Sequence, residues 1–250
     1  MAERHCDLGC ERVLYPRFTF HRLDGRSTSL MNKATRRELA RAVLSGYVSG
    51  PAAATEATTR ALGKVGDARA IVLVEGISDQ IALETLAVRR GRDLEAEGVA
   101  ILPMGGVHAI TRYLARFGPE GADVRLVGLC DAGEEGIFRR GFAEVRFGSP
   151  KTRADLERLG FHVCVEDLED ELIRAVGAPR VESLFDSQGD LGSFRTLQMQ
   201  PSWRGRNVEA QMRRFLGSGA RRKLRYARLL VESVDLDRVP DPLNALLAEV

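Results

Sequence analysis

The 250-residue chain has no apolar run of about 18 or more residues and no secretory h-region, which argues against a membrane span and for a cytoplasmic protein. Its four cysteines, Cys6, Cys10, Cys130 and Cys164, are too few and too scattered for a disulfide framework. The last two lie inside aliphatic runs and are expected to be small buried apolar residues. His5, Cys6, Cys10 and His21 lack the C-x2-C and H-x3-H spacings of structural zinc sites, so no zinc is expected there. No G-x-x-x-x-G-K-[ST] phosphate loop occurs anywhere in the chain. Aromatics are only 6% of residues, so Trp203 and Tyr226 are expected in the core and not as base-stacking platforms. A net charge of +2 gives no whole-molecule basic field, so any nucleic-acid reading must rest on local clustering.

The remainder is ordinary for a globular protein, at 44% hydrophobic and 29% charged residues. Residues 1–30 carry no sustained periodicity and read as an arm. Thr35-x-x-Glu38 has the form of a capping box opening a helix that Gly50-Pro51 would stop, and a second helix or linker follows to residue 69. From residue 70 a repeated unit begins. "AIVLVEG" (70–76), "VAILPMGG" (99–106), "VRLVGLCDAGEE" (124–135) and "FHVCVEDLED" (161–170) are apolar runs without alternation, each followed by a helical pattern. Such strands are buried on both faces, so the expected fold is α/β, a parallel four-stranded sheet with helices on both faces. After residue 177 the strand signal vanishes and two or three helices are expected. The divisions are therefore 1–69 for an N-terminal arm and helices, 70–177 for the α/β domain and 178–250 for a small helical subdomain.

In open parallel sheets ligands bind beyond the carboxyl ends of the strands, and the acids of this chain fall there. Glu75 closes the first strand, Asp131 the third and Glu166 the fourth, while Gly105-Gly106 closes the second. Asp79 follows Glu75 by four residues, behind Ser78 as the expected helix N-cap. Carboxylates gathered in one crevice repel one another unless a cation sits among them, and carboxylate oxygens suit Mg2+ or Mn2+. An acid at a helix start can equally serve as a cap or a dipole partner, and Glu134 and Glu135 are open to that reading. Glu75, between an aliphatic strand and a glycine, has no capping duty of its own.

"VLVEGISDQIAL" (72–83), "LPMGG" (102–106) and "RLVGLCDAGEE" (125–135) resemble the successive motifs of a Toprim domain, the catalytic α/β module of topoisomerases, bacterial primases and several nucleases. The Glu75-Gly-x-x-Asp79 form, with "VEDLEDEL" (165–172) and "SGARRKLRYARLL" (218–230) after it, is similar to the branch found in overcoming-lysogenization-defect (OLD) nucleases. The resemblance spans about residues 70–250. It implies a metal-dependent DNA endonuclease using two Mg2+ or Mn2+ ions held by Glu75, Asp79, Asp131 and one of Glu134 or Glu135, with Glu166 or Glu169 contributing. Glu75 and Lys223 would be catalytic, Lys223 supplying the cation for the transition-state phosphate, and Gly76, Gly105 and Gly106 would allow close backbone approach.

The chain departs from the family at two points. The second Asp of the Asp-x-Asp pair is Gly133, and the ATPase domain of OLD nucleases has no counterpart here, which implies a stand-alone form with any ATPase in a separate chain or lost. From residue 204 to 228 nine basic residues face one acid, Glu209. Arg213, Arg214, Arg221, Arg222, Arg225 and Arg228 are the candidate phosphate-backbone contacts within that stretch. The partners implied are nucleic acid, DNA before RNA, a possible ATPase subunit and a possible second copy of the chain. Two rival functions stand beside this one. An RNA-processing Toprim nuclease would use the same acids, and a degenerate, non-catalytic Toprim module would bind nucleic acid or a partner protein, as Gly133 suggests.

Overall fold

Four short apolar segments form the sheet: β1 (Ala70–Val74), β2 (Val99–Pro103), β3 (Arg125–Cys130) and β4 (Phe161–Val163). These belong to a computed structural model that describes residues 33–250 apart from 49 and 51. The arm at 1–30, with His5, Cys6, Cys10 and His21, lies outside the described residues. All strands are parallel in the order β2-β1-β3-β4, with Val72 of β1 opposite Ile101 and Val127. Both faces are dry. Ala70, Val72 and Val74 point into one apolar cluster and Ile71 and Leu73 into another, which is why the strand reads without alternation. Gly128 of β3 is fixed by space: a Cβ there would lie 2.6 Å from the Phe161 ring and 2.8 Å from the Leu73 carbonyl oxygen.

The helices are α1 (Lys33–Val43), α2 (Ala53–Lys64), α3 (Ile77–Arg89), α4 (Ile110–Phe117), α5 (Glu135–Glu144), α6 (Arg153–Arg158), α7 (Leu168–Val176), α8 (Ala178–Ser187), α9 (Leu191–Met199), α10 (Val208–Gly217), α11 (Ala220–Ser233) and α12 (Asp241–Ala248). One face of the sheet is covered by α3 and by α7 to α12, the other by α2, α4, α5 and α6. The chain thus leaves β1 toward one face, through Ala82, Leu83 and Leu86 of α3, and leaves β3 toward the other, through Phe138 and Phe142 of α5. Adjacent parallel strands whose connections diverge open a crevice between their carboxyl ends, here between β1 and β3.

Several sequence expectations shift in detail. Helix α1 is described from Lys33, so Thr35 and Glu38 lie inside it, and it ends at Val43, before the stop expected at Gly50-Pro51. The N-cap of α3 is Gly76, and Ser78 lies within the helix. Five helices, not two or three, follow residue 177. The described residues form one compact unit, and Phe185, Phe215, Tyr226 and Leu246 share a cluster with Val72 and Leu129 of the sheet. The lines drawn at 69/70 and 177/178 therefore divide element types and not separate cores.

Candidate metal centre

Glu75, Asp131 and Glu134 come together at the crevice, each offering a carboxylate oxygen within 4.8 Å of the others. Glu75 is the first residue beyond β1, and its carbonyl oxygen accepts from the Gly105 and Gly106 N–H groups at 3.1 and 3.2 Å. Those two glycines have φ of 77° and 122°, which side chains resist, so the turn after β2 can bend back onto Glu75. Asp131 is the first residue beyond β3 and opens a single 3-10 turn, Ala132–Glu134, whose Glu134 N–H donates to the Asp131 carbonyl oxygen at 2.9 Å. In a 3-10 turn residues three apart eclipse, so Asp131 and Glu134 face the same way. Glu135, one residue on, turns to Arg139 and Arg153 at 3.6 and 3.4 Å. Of the two acids left open by the sequence, Glu134 joins the cluster and Glu135 does not.

Asp79 lies buried beside the cluster, accepting from the Gly76 N–H at 2.8 Å. It is the capping acid of α3, the duty expected to fall on Ser78. Burial pushes its carboxyl up to about 6 against the pull of Lys223 and the Gly76 N–H. Asp131 is pushed up to about 8 by burial, with Asp79, Asp167, Glu134 and Glu75 adding negative charge. Glu134 rises to about 7 by burial and by Glu75 and Asp79, and its Oε2 is a buried oxygen with no hydrogen-bond partner. Oxygen-only donors, mutual repulsion and an unpartnered oxygen together fit a hard divalent cation.

Lys223, in the first turns of α11, reaches Glu169 of α7 at 3.3 Å. Burial alone would lower its ammonium, but Glu169, Asp79 and Asp131 hold it above the ordinary lysine value. Glu169 is pushed up to about 7 by burial although Lys223 draws it down, and its Oε1 also lacks a partner. Glu169 is thus the lysine's partner next to the triad. Glu166 lies three residues past β4, and its largely exposed side chain turns out to Arg213 at 3.3 Å, away from the triad. A residue the sequence reading passed over, Asp167, stands closer. It caps α7 by accepting from Asp170 N–H at 2.8 Å, binds Arg213 at 2.5 Å, and adds to the field on Asp131. Its signal was present as an acid just ahead of the "LEDEL" helix.

The basic residues divide. Arg214 and Arg221 are exposed, as are Arg204 and Arg206. Arg213 is half-buried on Asp167 and Glu166. Arg225 is buried against Asp190, Arg222 donates to the Phe215 carbonyl and Ser218 Oγ, and Arg228 binds Glu232 and the Val43 carbonyl. These last three make contacts within the fold, Arg225 buried and Arg222 and Arg228 partly so. Tyr226 is fully buried and Trp203 packs on the same core, as expected. Cys130 and Cys164 are buried and free, their thiols pushed up by burial. No helix among the described residues is long and apolar enough to cross a membrane.

A parallel α/β domain of strand order 2-1-3-4, with a glutamate ending β1 and an aspartate ending β3, is a Toprim-type fold. Residues 68–132 match the family model "Overcoming lysogenization defect protein-like, TOPRIM domain". Its fold is similar to that of the C-terminal region of the Xanthomonas campestris pv. campestris OLD protein, with TM-score 0.59 and 22% identity over 75% of this chain and 94% of that one. The C-terminal region of the Burkholderia pseudomallei OLD protein superposes with TM-score 0.54 and 18% identity over 72% and 96%. No curated protein matches the chain significantly.

Proposed function

We propose that the chain is a nuclease that hydrolyses DNA phosphodiester bonds with Mg2+ or Mn2+ at the Glu75, Asp131 and Glu134 cluster. The observation that carries this reading is the convergence of three carboxylates on one point at the β1/β3 crevice, with a lysine ammonium held one carboxylate away. Divalent ions bound there would polarise the phosphate and lower the pKa of an attacking water. Glu75, Asp131 and Glu134 would hold the first ion, and the neighbouring Asp79 and Glu169 would serve a second. Lys223 would place positive charge beside the phosphate oxygens, and its pairing with Glu169 keeps the long side chain pointed at the crevice between turnovers.

Arg204, Arg206, Arg214 and Arg221 would carry the flanking backbone through phosphate contacts, giving binding that weakens steeply with salt. A separate ATPase chain and a second copy of this chain are the protein partners proposed with it. The second reading, a non-catalytic module, draws on Gly133, an exposed position with no carboxylate where the family has its second Asp. One experiment separates the two: plasmid DNA and, in parallel, RNA are incubated with the purified protein and Mg2+, Mn2+ or EDTA, beside Glu75→Ala. Metal-dependent nicking lost in the variant supports the nuclease. Nicking that survives Glu75→Ala refutes the site, and inert wild type on both substrates favours the module.

A further inference from the structure

We propose that Asp190 is the positioning residue for Lys223, clamping α11 in the rotation that turns the lysine toward Glu169 and Asp79. What Lys223 is for rests on the nuclease reading above; how its helix is held does not.

Helix α11 begins poorly on local grounds. Its N-cap is Gly219 with no side-chain cap, its first turn has no acid, and Arg221, Arg222 and Lys223 crowd the end where the helix dipole disfavours cations. Left to itself such a turn frays, and Lys223 would leave with it. Asp190 supplies what is missing. It stands at the N-cap of α9, where an aspartate ordinarily bonds its own helix, yet its carboxylate makes no such bond. It is 6% exposed and reaches across to α11 instead, accepting from Arg225 Nη2 and, at 3.0 Å, from the Tyr226 hydroxyl, with Arg222 Nε at 3.9 Å.

Arg225 and Tyr226 follow Lys223 by two and three residues. At about 100° per residue Arg225 projects from nearly the opposite side of the helix, so a grip on it sets the direction in which Lys223 points. Arg222 is held as well, over the Phe215 ring at 4.0 Å and on the Phe215 carbonyl oxygen at 3.2 Å. An Asp190 that served only as a buried counter-ion could be exchanged with its partners for apolar residues at little loss. A positioning Asp190 could not, because the direction of Lys223 would go with it.

The chain has only four lysines, Lys33, Lys64, Lys151 and Lys223, which makes amine labelling mapped by mass spectrometry a direct readout. Lys64 and Lys151 are exposed and serve as internal references. In the wild type Lys223 should label more slowly than either. Asp190→Asn should raise its relative rate roughly five-fold or more, the loss expected when one or two kcal/mol of anchoring goes. Tyr226→Phe, which removes one hydroxyl and keeps the ring, should raise it less, and it carries the test if Asp190→Asn does not fold. Phe142→Leu, in the core on the opposite face, should lower the melting temperature without changing the rate. In cleavage, Asp190→Asn should slow turnover in the wild-type background and add nothing to Lys223→Ala. An unchanged Lys223 rate in the folded variants, or an equal rise in Phe142→Leu, overturns the proposal. A wild type that cleaves nothing refutes the nuclease reading, and labelling still decides the role of Asp190.

Discussion

Glu134→Gln tests the centre without touching the backbone. In the metal-free protein Glu75, Asp131 and Glu134 offer oxygens within 4.8 Å of one another. At an effective dielectric of about 20, two full charges at that distance repel by about 3.5 kcal/mol. The molecule avoids most of this by holding protons, since Asp131 is pushed up to about 8 and Glu134 to about 7. Glu134 is also partly open to water, so relief on its neutralisation falls to about 1 kcal/mol. In EDTA at pH 7 the variant should therefore melt about 2–4 °C above the wild type. Mn2+ should raise the wild-type midpoint, and the variant should lose at least half of that gain because an oxygen ligand has been weakened. Melts by differential scanning fluorimetry in EDTA and across a Mn2+ series give both numbers. A variant that melts lower in EDTA while keeping the full Mn2+ gain would refute the reasoning.

The raised carboxyls also set a pH trend. Asp131 has an ordinary value of 3.8 and is pushed up to about 8, so between those limits the folded state binds more protons than the unfolded one. Metal-free stability should then fall as pH rises from about 4 through 8, with saturating Mn2+ flattening the slope, as urea titrations at several pH values would record. Gly133→Asp restores the family's second acid at a position where a Cβ meets nothing within 4 Å, so the variant should fold, melt lower in EDTA and bind Mn2+ more tightly by calorimetry. Arg214→Ala and Arg221→Ala should weaken DNA binding and shallow its salt dependence at constant melting temperature. Arg225→Ala should instead cost about 3–5 kcal/mol of stability by taking the nearest cation from the buried Asp190.

How far the sequence reaches is clearest at the two strand ends. Runs such as "AIVLV" lack alternation because both faces are buried, and that periodicity is a local property readable without coordinates. The step from an aliphatic run to Glu75 or Asp131 is equally local, and so is the absence of a capping duty for Glu75. The choice between Glu134 and Glu135 was not local in this sense, because it depended on whether the residues after Asp131 entered an α-helix at once or through one 3-10 turn. The six arginines between 213 and 228 look alike in a list of charges. Arg214 and Arg221 meet water, whereas Arg225 and Arg228 meet Asp190 and Glu232.

The sequence by itself therefore determined the parallel sheet, the acids at its carboxyl edge and the basic character of the C-terminal helices, since each follows from spacing along one segment. Tertiary structure alone decided which acids converge, which arginines turn inward and what holds Lys223 in place. Those outcomes depend on partners distant in the chain, Asp190 for Arg225 and Glu169 for Lys223. A charged side chain has no preferred direction until a partner of opposite sign is brought within a few ångströms in a place water cannot screen.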